Sequence, residues 1–253
     1  MVAALALPRE LSLLGKLRAV FRVASIAALL LLCIPLQYVW HLLRLPNPWP
    51  RVFLGGVVWI SGIKLAYRGQ KAGGGVFMIA NHVSWIDVPA LAAASGSAFV
   101  GHDGLASMPL LEWLCRMNRT VFIARHDRTS VASQVEDVRA ALSESGALTI
   151  FPEGTTSDGT GLLPFKSSLL SAFEPLPSGI AVQPVLLDYG AEAADISWIG
   201  DEHGLDNFLR ILARSKPLRL TIHFLPPLGG RALESRKTIA QSARDAILKQ
   251  LAG

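Results

Sequence analysis

The sequence is short of cysteine, of charge and, in its first quarter, of acidic residues. Cys33 and Cys115 are the two cysteines among 253 residues, which excludes a disulfide framework and a cysteine-based zinc cluster. Charged residues make up 17% of the chain and apolar ones 51%, so general disorder is excluded. Residues 1–71 hold one acid, Glu10, against nine Lys/Arg, while the remainder holds fifteen Lys/Arg against eighteen acids. The formal net charge of +5 therefore belongs to the N-terminal quarter. Nucleic-acid binding would ask for a basic face interleaved with stacking aromatics. Here the basic residues bracket apolar runs instead, so no nucleic-acid partner is expected. There is no internal repeat and no Gly-x-Ser-x-Gly nucleophile elbow. Gly73-Gly74-Gly75 is not followed by Gly-Lys-Ser/Thr, so it is not a phosphate loop. His41, His203 and His223 stand without partners at ligand spacing, and no metal is expected.

What is present begins with grease. Mean hydropathy is +0.40, which fits a chain that spans a membrane, lies on one or works beside one. Between Arg22 and Arg44 lie 21 residues without a formal charge. As a helix they reach ~30 Å, about one hydrocarbon thickness. A second apolar run, Val52 to Ile63, follows Leu45-Pro-Asn-Pro-Trp-Pro50, which cannot be continuous helix. Tyr38, Trp40 and Trp49 sit near the ends, where an interfacial belt would place them. A cleaved signal peptide does not fit, because no small-residue cleavage site follows the run. A single span, a helical hairpin dipping into one leaflet and a buried core helix remain, and Pro35 with the short second run favours the hairpin. The basic flanks suit an anionic lipid surface, so membrane lipids are the expected partners, and the positive N-terminal flank predicts a cytoplasmic N-terminus.

From residue 76 the pattern changes to short apolar runs alternating with helical ones. Val76–Ile79, Ala98–Val100, Thr120–Ala124, Ala147–Phe151, Ala181–Asp188 and Leu218–Leu225 read as strands. Helical patterns cover roughly 88–95, 105–117, 129–145, 204–214 and 232–251. The expectation is an α/β fold with a largely parallel sheet flanked by helices, over residues 64–253, preceded by a membrane-associated helical segment over 1–63.

The chemistry gathers at strand ends, where open α/β sheets place their ligand crevice. Asn81-His82-Val-Ser84-Trp-Ile-Asp87 follows the first of these strands. A carboxylate there can hold imidazole Nδ1–H and leave Nε2 free as a base. The pair can meet only if His82 lies in the entry loop and Asp87 in the first helical turn. Phe151-Pro-Glu153-Gly154-Thr155-Thr156-Ser157 ends another strand. Glu153 follows a buried pair, so its carboxylate is expected to face the crevice. Phe122-Ile-Ala-Arg125, with Arg128 beyond, ends a third; either arginine suits a phosphate or an ion pair with Asp127.

Together these segments resemble the lysophospholipid acyltransferase family, which includes the 1-acyl-glycerol-3-phosphate acyltransferases. Asn81-His82 followed by four residues and Asp87 matches its first block, and Phe122-Ile-Ala-Arg125 its second. Residues 151–157 match its Phe-Pro-Glu-Gly-Thr-Arg-Ser block except that Thr156 replaces Arg, and Val182-Gln-Pro-Val185 matches its fourth. Leu163-Pro-Phe-Lys166 follows the third block as it often does in the family. Four blocks in order, over roughly residues 64–226, are a specific signal.

The resemblance implies transfer of an acyl group from acyl-CoA or acyl carrier protein to a lipid hydroxyl. His82 is then the general base and Asp87 orients it. Asn81, Arg125, Glu153, Gly154, Thr155, Thr156 and Lys166 are the implied substrate-side residues. The thioester is already activated, so no enzyme nucleophile is needed and no cofactor is implied. Backbone N–H groups around Gly154 or a nearby helix start are candidates for an oxyanion site. Acyl-CoA and acyl carrier protein are cytosolic, which puts the catalytic part on the cytoplasmic side of an inner membrane. Lysophosphatidic acid leads as acceptor, with Arg125, Arg128 and Lys166 to hold its phosphate. Lyso-ornithine lipid is the alternative, because that headgroup has no phosphate and Thr156 removes one arginine. A non-catalytic lipid-binding member of the same fold is the alternative of another class.

Overall fold

Val76-Phe-Met-Ile-Ala80 is apolar at every position because both its faces are covered. In the computed structural model, which describes residues 11–102, 109–123 and 131–253, it forms strand β2 (Val76–Ala80). Val76, Met78 and Ala80 lie in one core cluster, Phe77 and Ile79 in another, the two-residue period of a pleated strand. The other strands are β1 (Ile63–Gly69), β3 (Ala98–His102), β4 (Val121–Ile123), β5 (Ala147–Ile150), β6 (Ala181–Asp188) and β7 (Leu218–Phe224). They form one sheet in the order β1-β7-β6-β2-β5-β3-β4. Neighbours are parallel except β6 and β7, so the expected largely parallel α/β sheet is present. Its parallel centre requires cover on both faces, and the helices supply it.

On one face lie α2 (Trp49–Ile60), α3 (Asp87–Ser95) and α7 (Gly204–Ala213), which place Val58, Ala90, Leu91 and Ile211 against Met78 and Val76. On the other lie α5 (Val131–Ser145) and α8 (Arg236–Leu251), with Val138, Leu142, Ile239 and Ala243 against Phe77 and Ile79. Two further helices among the described residues are α4 (Pro109–Met117) and α6 (Ala193–Ile196).

Strand β1 was not anticipated. It is an edge strand paired with β7 alone, and Lys64, Tyr67 and Arg68 stay exposed along it. Charges on an edge guard against sheet-to-sheet pairing, and they also erase the apolar alternation that reveals a half-buried strand.

The first helix, α1 (Leu13–Leu42), starts well before Val23 and runs on through Pro35. Ser12 caps it by accepting the Gly15 N–H at 3.2 Å. Its basic N-terminal turns are not simply a flank for lipid. Arg18 donates to the Ala213 carbonyl at 2.8 Å, and Arg22 donates to Leu212 and Arg214 carbonyls at 2.9 and 3.1 Å. Both guanidinium groups thus sit on the negative, C-terminal end of α7. α1 then folds back on α2 as an antiparallel hairpin. Gly56 permits the close approach, since a Cβ there would run into the Leu29 side chain. Among the residues of α1, Gly15, Ala19 and Cys33 are buried, so α1 is not a core helix. By length and composition α1 is the helix among the described residues that qualifies to cross a membrane.

Candidate active site

The site forms where β2 ends and α3 begins. Asn81 continues the β2–β6 ladder with its side chain, accepting the Leu187 N–H at 2.7 Å and donating to the Leu187 carbonyl at 3.1 Å. Its amide is thus spent on backbone, and it positions the loop that carries His82. Asp87 opens α3 and is fully buried. Its Oδ2 accepts from His82 Nδ1 at 2.8 Å, from Val83 N at 2.6 Å and from Ser84 N at 2.9 Å. An ionised carboxylate only accepts, so Nδ1 carries the proton and the neutral ring presents Nε2 as an acceptor. The ring stacks on Phe151, with centroids 4.2 Å apart, and 20% of the His82 side chain remains exposed. Among the described residues Nε2 has no hydrogen-bond partner. The five-residue spacing works as anticipated, with His82 in the loop and Asp87 in the first turn. Ser84 is fully buried and bonds to Asn207 Oδ1 at 3.5 Å, out of reach of a substrate.

Tyr189, immediately after β6, completes the dyad's surroundings. Its hydroxyl donates to Asp87 Oδ1. Burial first, and then the Asp87 charge beside it, push the phenol well above its ordinary range, so it remains a donor. No motif pointed to it; the available signal was its place at the end of a strand adjoining β2, on the crevice edge. We expect Tyr189→Phe to lower kcat several-fold with little change in KM, because the carboxylate that orients the His82 ring loses one of its four donors. An unchanged kcat would reduce Tyr189 to packing.

The third block lies beside the dyad. Glu153 is 1% exposed, and its two oxygens accept from His82 N at 2.8 Å and Leu163 N at 2.9 Å. Its carboxylate therefore ties the His82 loop to residue 163 instead of opening onto the crevice as expected. Burial raises its pKa, opposed by those two N–H donors. Gly154 takes a left-handed φ of 71°, which lets the chain turn sharply out of β5. Its N–H donates to the Phe151 carbonyl at 3.1 Å, so the oxyanion role considered for it has a competitor already in place. The Lys166 ammonium lies over Gly154, 3.1 Å from where a Cβ would stand. Thr155 is exposed. Thr156 is half-buried and donates its hydroxyl to the Trp198 carbonyl. Ser157 closes the block by donating N–H and Oγ–H to the His82 carbonyl at 2.7 and 3.1 Å. Arg125 and Arg128 lie outside the described residues. Gln183 of the fourth block bonds to backbone at Gln70, Ala72 and Leu225, a structural role.

A family model described as Acyltransferase matches residues 63–188. A lyso-ornithine lipid O-acyltransferase of Rhodobacter capsulatus is 30% identical, over 94% of this chain and 92% of that protein. The chain belongs to the acyltransferase family. A 1-acyl-sn-glycerol-3-phosphate acyltransferase of Neisseria gonorrhoeae is 29% identical over 74% of this chain and 73% of its own. The crystal structure of PlsC, the 1-acyl-sn-glycerophosphate acyltransferase of Thermotoga maritima, superposes with a TM-score of 0.68 at 19% identity, over 95% of this acyltransferase and 94% of that chain. At that identity the likeness speaks for the fold alone.

Proposed function

We propose that this acyltransferase moves a fatty acyl group from a CoA or acyl-carrier-protein thioester to the free hydroxyl of a lysolipid, with His82 as general base and Asp87 as the residue that holds it. The observation that carries the reading is the 2.8 Å contact between His82 Nδ1 and Asp87 Oδ2, on a ring that stays partly exposed. An alcohol is a poor nucleophile at neutral pH. Taking its proton as the C–O bond forms contributes typically about 10²–10⁴-fold. The proton on Nε2 makes an imidazolium that the buried Asp87 charge stabilises, and the same proton can then pass to the departing thiolate. No covalent acyl-enzyme is required. Asn81 and Glu153 act as positioning residues. Lys166 and Thr155 are the acceptor-side residues in this reading, and by the family's pattern Arg125 is assigned the same role. The soluble thioester donors place the reaction on the cytoplasmic side of the inner membrane.

For the acceptor, we favour lyso-ornithine lipid. Thr156 puts no cation where the family has arginine, and its hydroxyl is occupied by the Trp198 carbonyl. The relatives that bear the lyso-ornithine name include two aligned over more than nine-tenths of this chain. Lysophosphatidic acid is the second reading, favoured by the Lys166 ammonium at Gly154. Acyl transfer with both acceptors side by side, and with both donors, separates them. We expect turnover of the ornithine acceptor and a gain of about tenfold in relative kcat/KM for the phosphate acceptor in Thr156→Arg, the order of one charge-assisted hydrogen bond. Turnover of lysophosphatidic acid alone would reverse the assignment.

A further inference from the structure

A cavity lies at the other end of the sheet. It measures ≈ 890 Å³ and is lined by the end of α1, the α1–α2 turn, the end of α3, and α4 with the residues after it. Ala98, which opens β3, and Gly96 before it belong to its wall. β3 runs parallel to β5, and β5 parallel to β2. The cavity therefore opens at the strand starts, whereas His82 follows a strand end, about 16 Å of β2 away. It is not a lobe of the catalytic crevice.

Its chemistry is distinctive. Arg44, Arg51, Arg116 and Arg119 line it against one carboxylate, Glu144. Arg51 is committed to the Ala93 and Ala94 carbonyls, Arg119 to Glu144 and Arg116 to Glu112. Arg44 is exposed, and no ion pair engages it among the described residues. Arg44 and Arg119 also have φ of 53° and 57°. They end α1 and α4 in the left-handed conformation that glycine usually supplies, so arginine stands at both places against the backbone preference. The rim is apolar. Tyr38 and Leu45 both line the cavity and stand 53% and 48% exposed, and Leu42 and Leu43 beside them are 82% and 58% exposed.

We propose that this cavity binds the phosphate headgroup of an anionic phospholipid, with the guanidinium of Arg44 on the phosphate and the acyl chains running over Leu42, Leu43 and Leu45 into the bilayer. A concave arginine pocket matches a phosphate, and an exposed apolar collar beside it matches the chains attached to that phosphate. A soluble phosphate would have no use for the collar, and an acidic protein face would leave Leu42, Leu43 and Leu45 in water. The site is separate from the acceptor crevice, so its occupancy is read without acyl transfer.

The test is partitioning of the purified full chain into vesicles of phosphatidylcholine alone, and of phosphatidylcholine with roughly one part in five phosphatidylglycerol. At about one kcal/mol for each basic residue near an anionic surface, Arg44→Gln/Arg116→Gln should lose roughly thirtyfold in binding to the anionic vesicles, and little to the neutral ones. Lys237→Gln/Lys249→Gln removes the same charge from exposed positions on α8, across the sheet, and should lose far less. Arg44→Gln alone, which breaks no ion pair, guards against misfolding of the double variant and should lose roughly fivefold. Equal losses in the two double variants would mean bulk attraction and would overturn the site. So would intact vesicle binding coupled to weakened binding of acyl carrier protein.

Discussion

His82→Ala should abolish measurable acyl transfer while leaving the protein folded. The expected fall in kcat is at least about 10²–10⁴-fold, the usual worth of a positioned general base. The fold should tolerate the change because the ring is partly exposed and packs chiefly on Phe151. Asp87 keeps its Val83, Ser84 and Tyr189 donors, so its buried charge is not stranded. The backbone on either side of the ring is held independently, the His82 N–H by Glu153 and the His82 carbonyl by Ser157. Rate and melting temperature measured together decide the matter. Full activity in a folded variant removes the general-base assignment. Loss of both activity and fold would show that the ring carries structural weight which these hydrogen bonds do not reveal.

That clamp of Glu153 and Ser157 around His82 also shows what the sequence could and could not convey. The His82–Asp87 pairing was legible because a strand, a loop and a helix start follow one another within a dozen residues, and local rules place each. The third block was legible as a turn at a strand end, but not the direction of Glu153. A glutamate after a buried pair has two ways to satisfy its oxygens, and a backbone N–H at residue 82 or 163 becomes available only once β5 lies beside β2. Tyr189 is illegible for the same reason. It meets Asp87 across 102 residues, and the adjacency of β6 and β2 is a property of the sheet order, not of any window. The α1–α7 contact is subtler. Arg18 and Arg22 read as a basic flank for lipid, because nothing local says that the C-terminal carbonyls of α7 will stand opposite them. Helix patterns from 76 onward were recovered where both faces of the sheet needed cover. β1 escaped because an edge strand carries its charges in the open.

Asp87→Asn should lose less than the imidazole deletion and should be far milder in stability than Asp87→Ala. Alanine leaves the Val83 and Ser84 N–H groups, His82 Nδ1–H and the Tyr189 hydroxyl without their acceptor. At about 1–3 kcal/mol for each buried donor left unpaired, that approaches the whole stability of a domain, and Asp87→Ala should not accumulate as folded protein. Asparagine has one acceptor oxygen and one NH₂, so its orientation matters. Three donors converge on the Oδ2 position and one, a hydroxyl that can rotate, on Oδ1. The amide oxygen must therefore take the Oδ2 place, and the NH₂ must donate to the Tyr189 oxygen, which turns from donor to acceptor. His82 then keeps the productive tautomer and loses only the negative charge that supports its imidazolium. Where such a change also forces the wrong tautomer the loss is about 10⁴-fold. Here two backbone N–H groups forbid that flip, and we expect about 10²–10³-fold in kcat with KM nearly unchanged. A loss as deep as that of His82→Ala would mean that the amide has flipped despite them, and wild-type turnover would mean that Asp87 serves the fold and not the base.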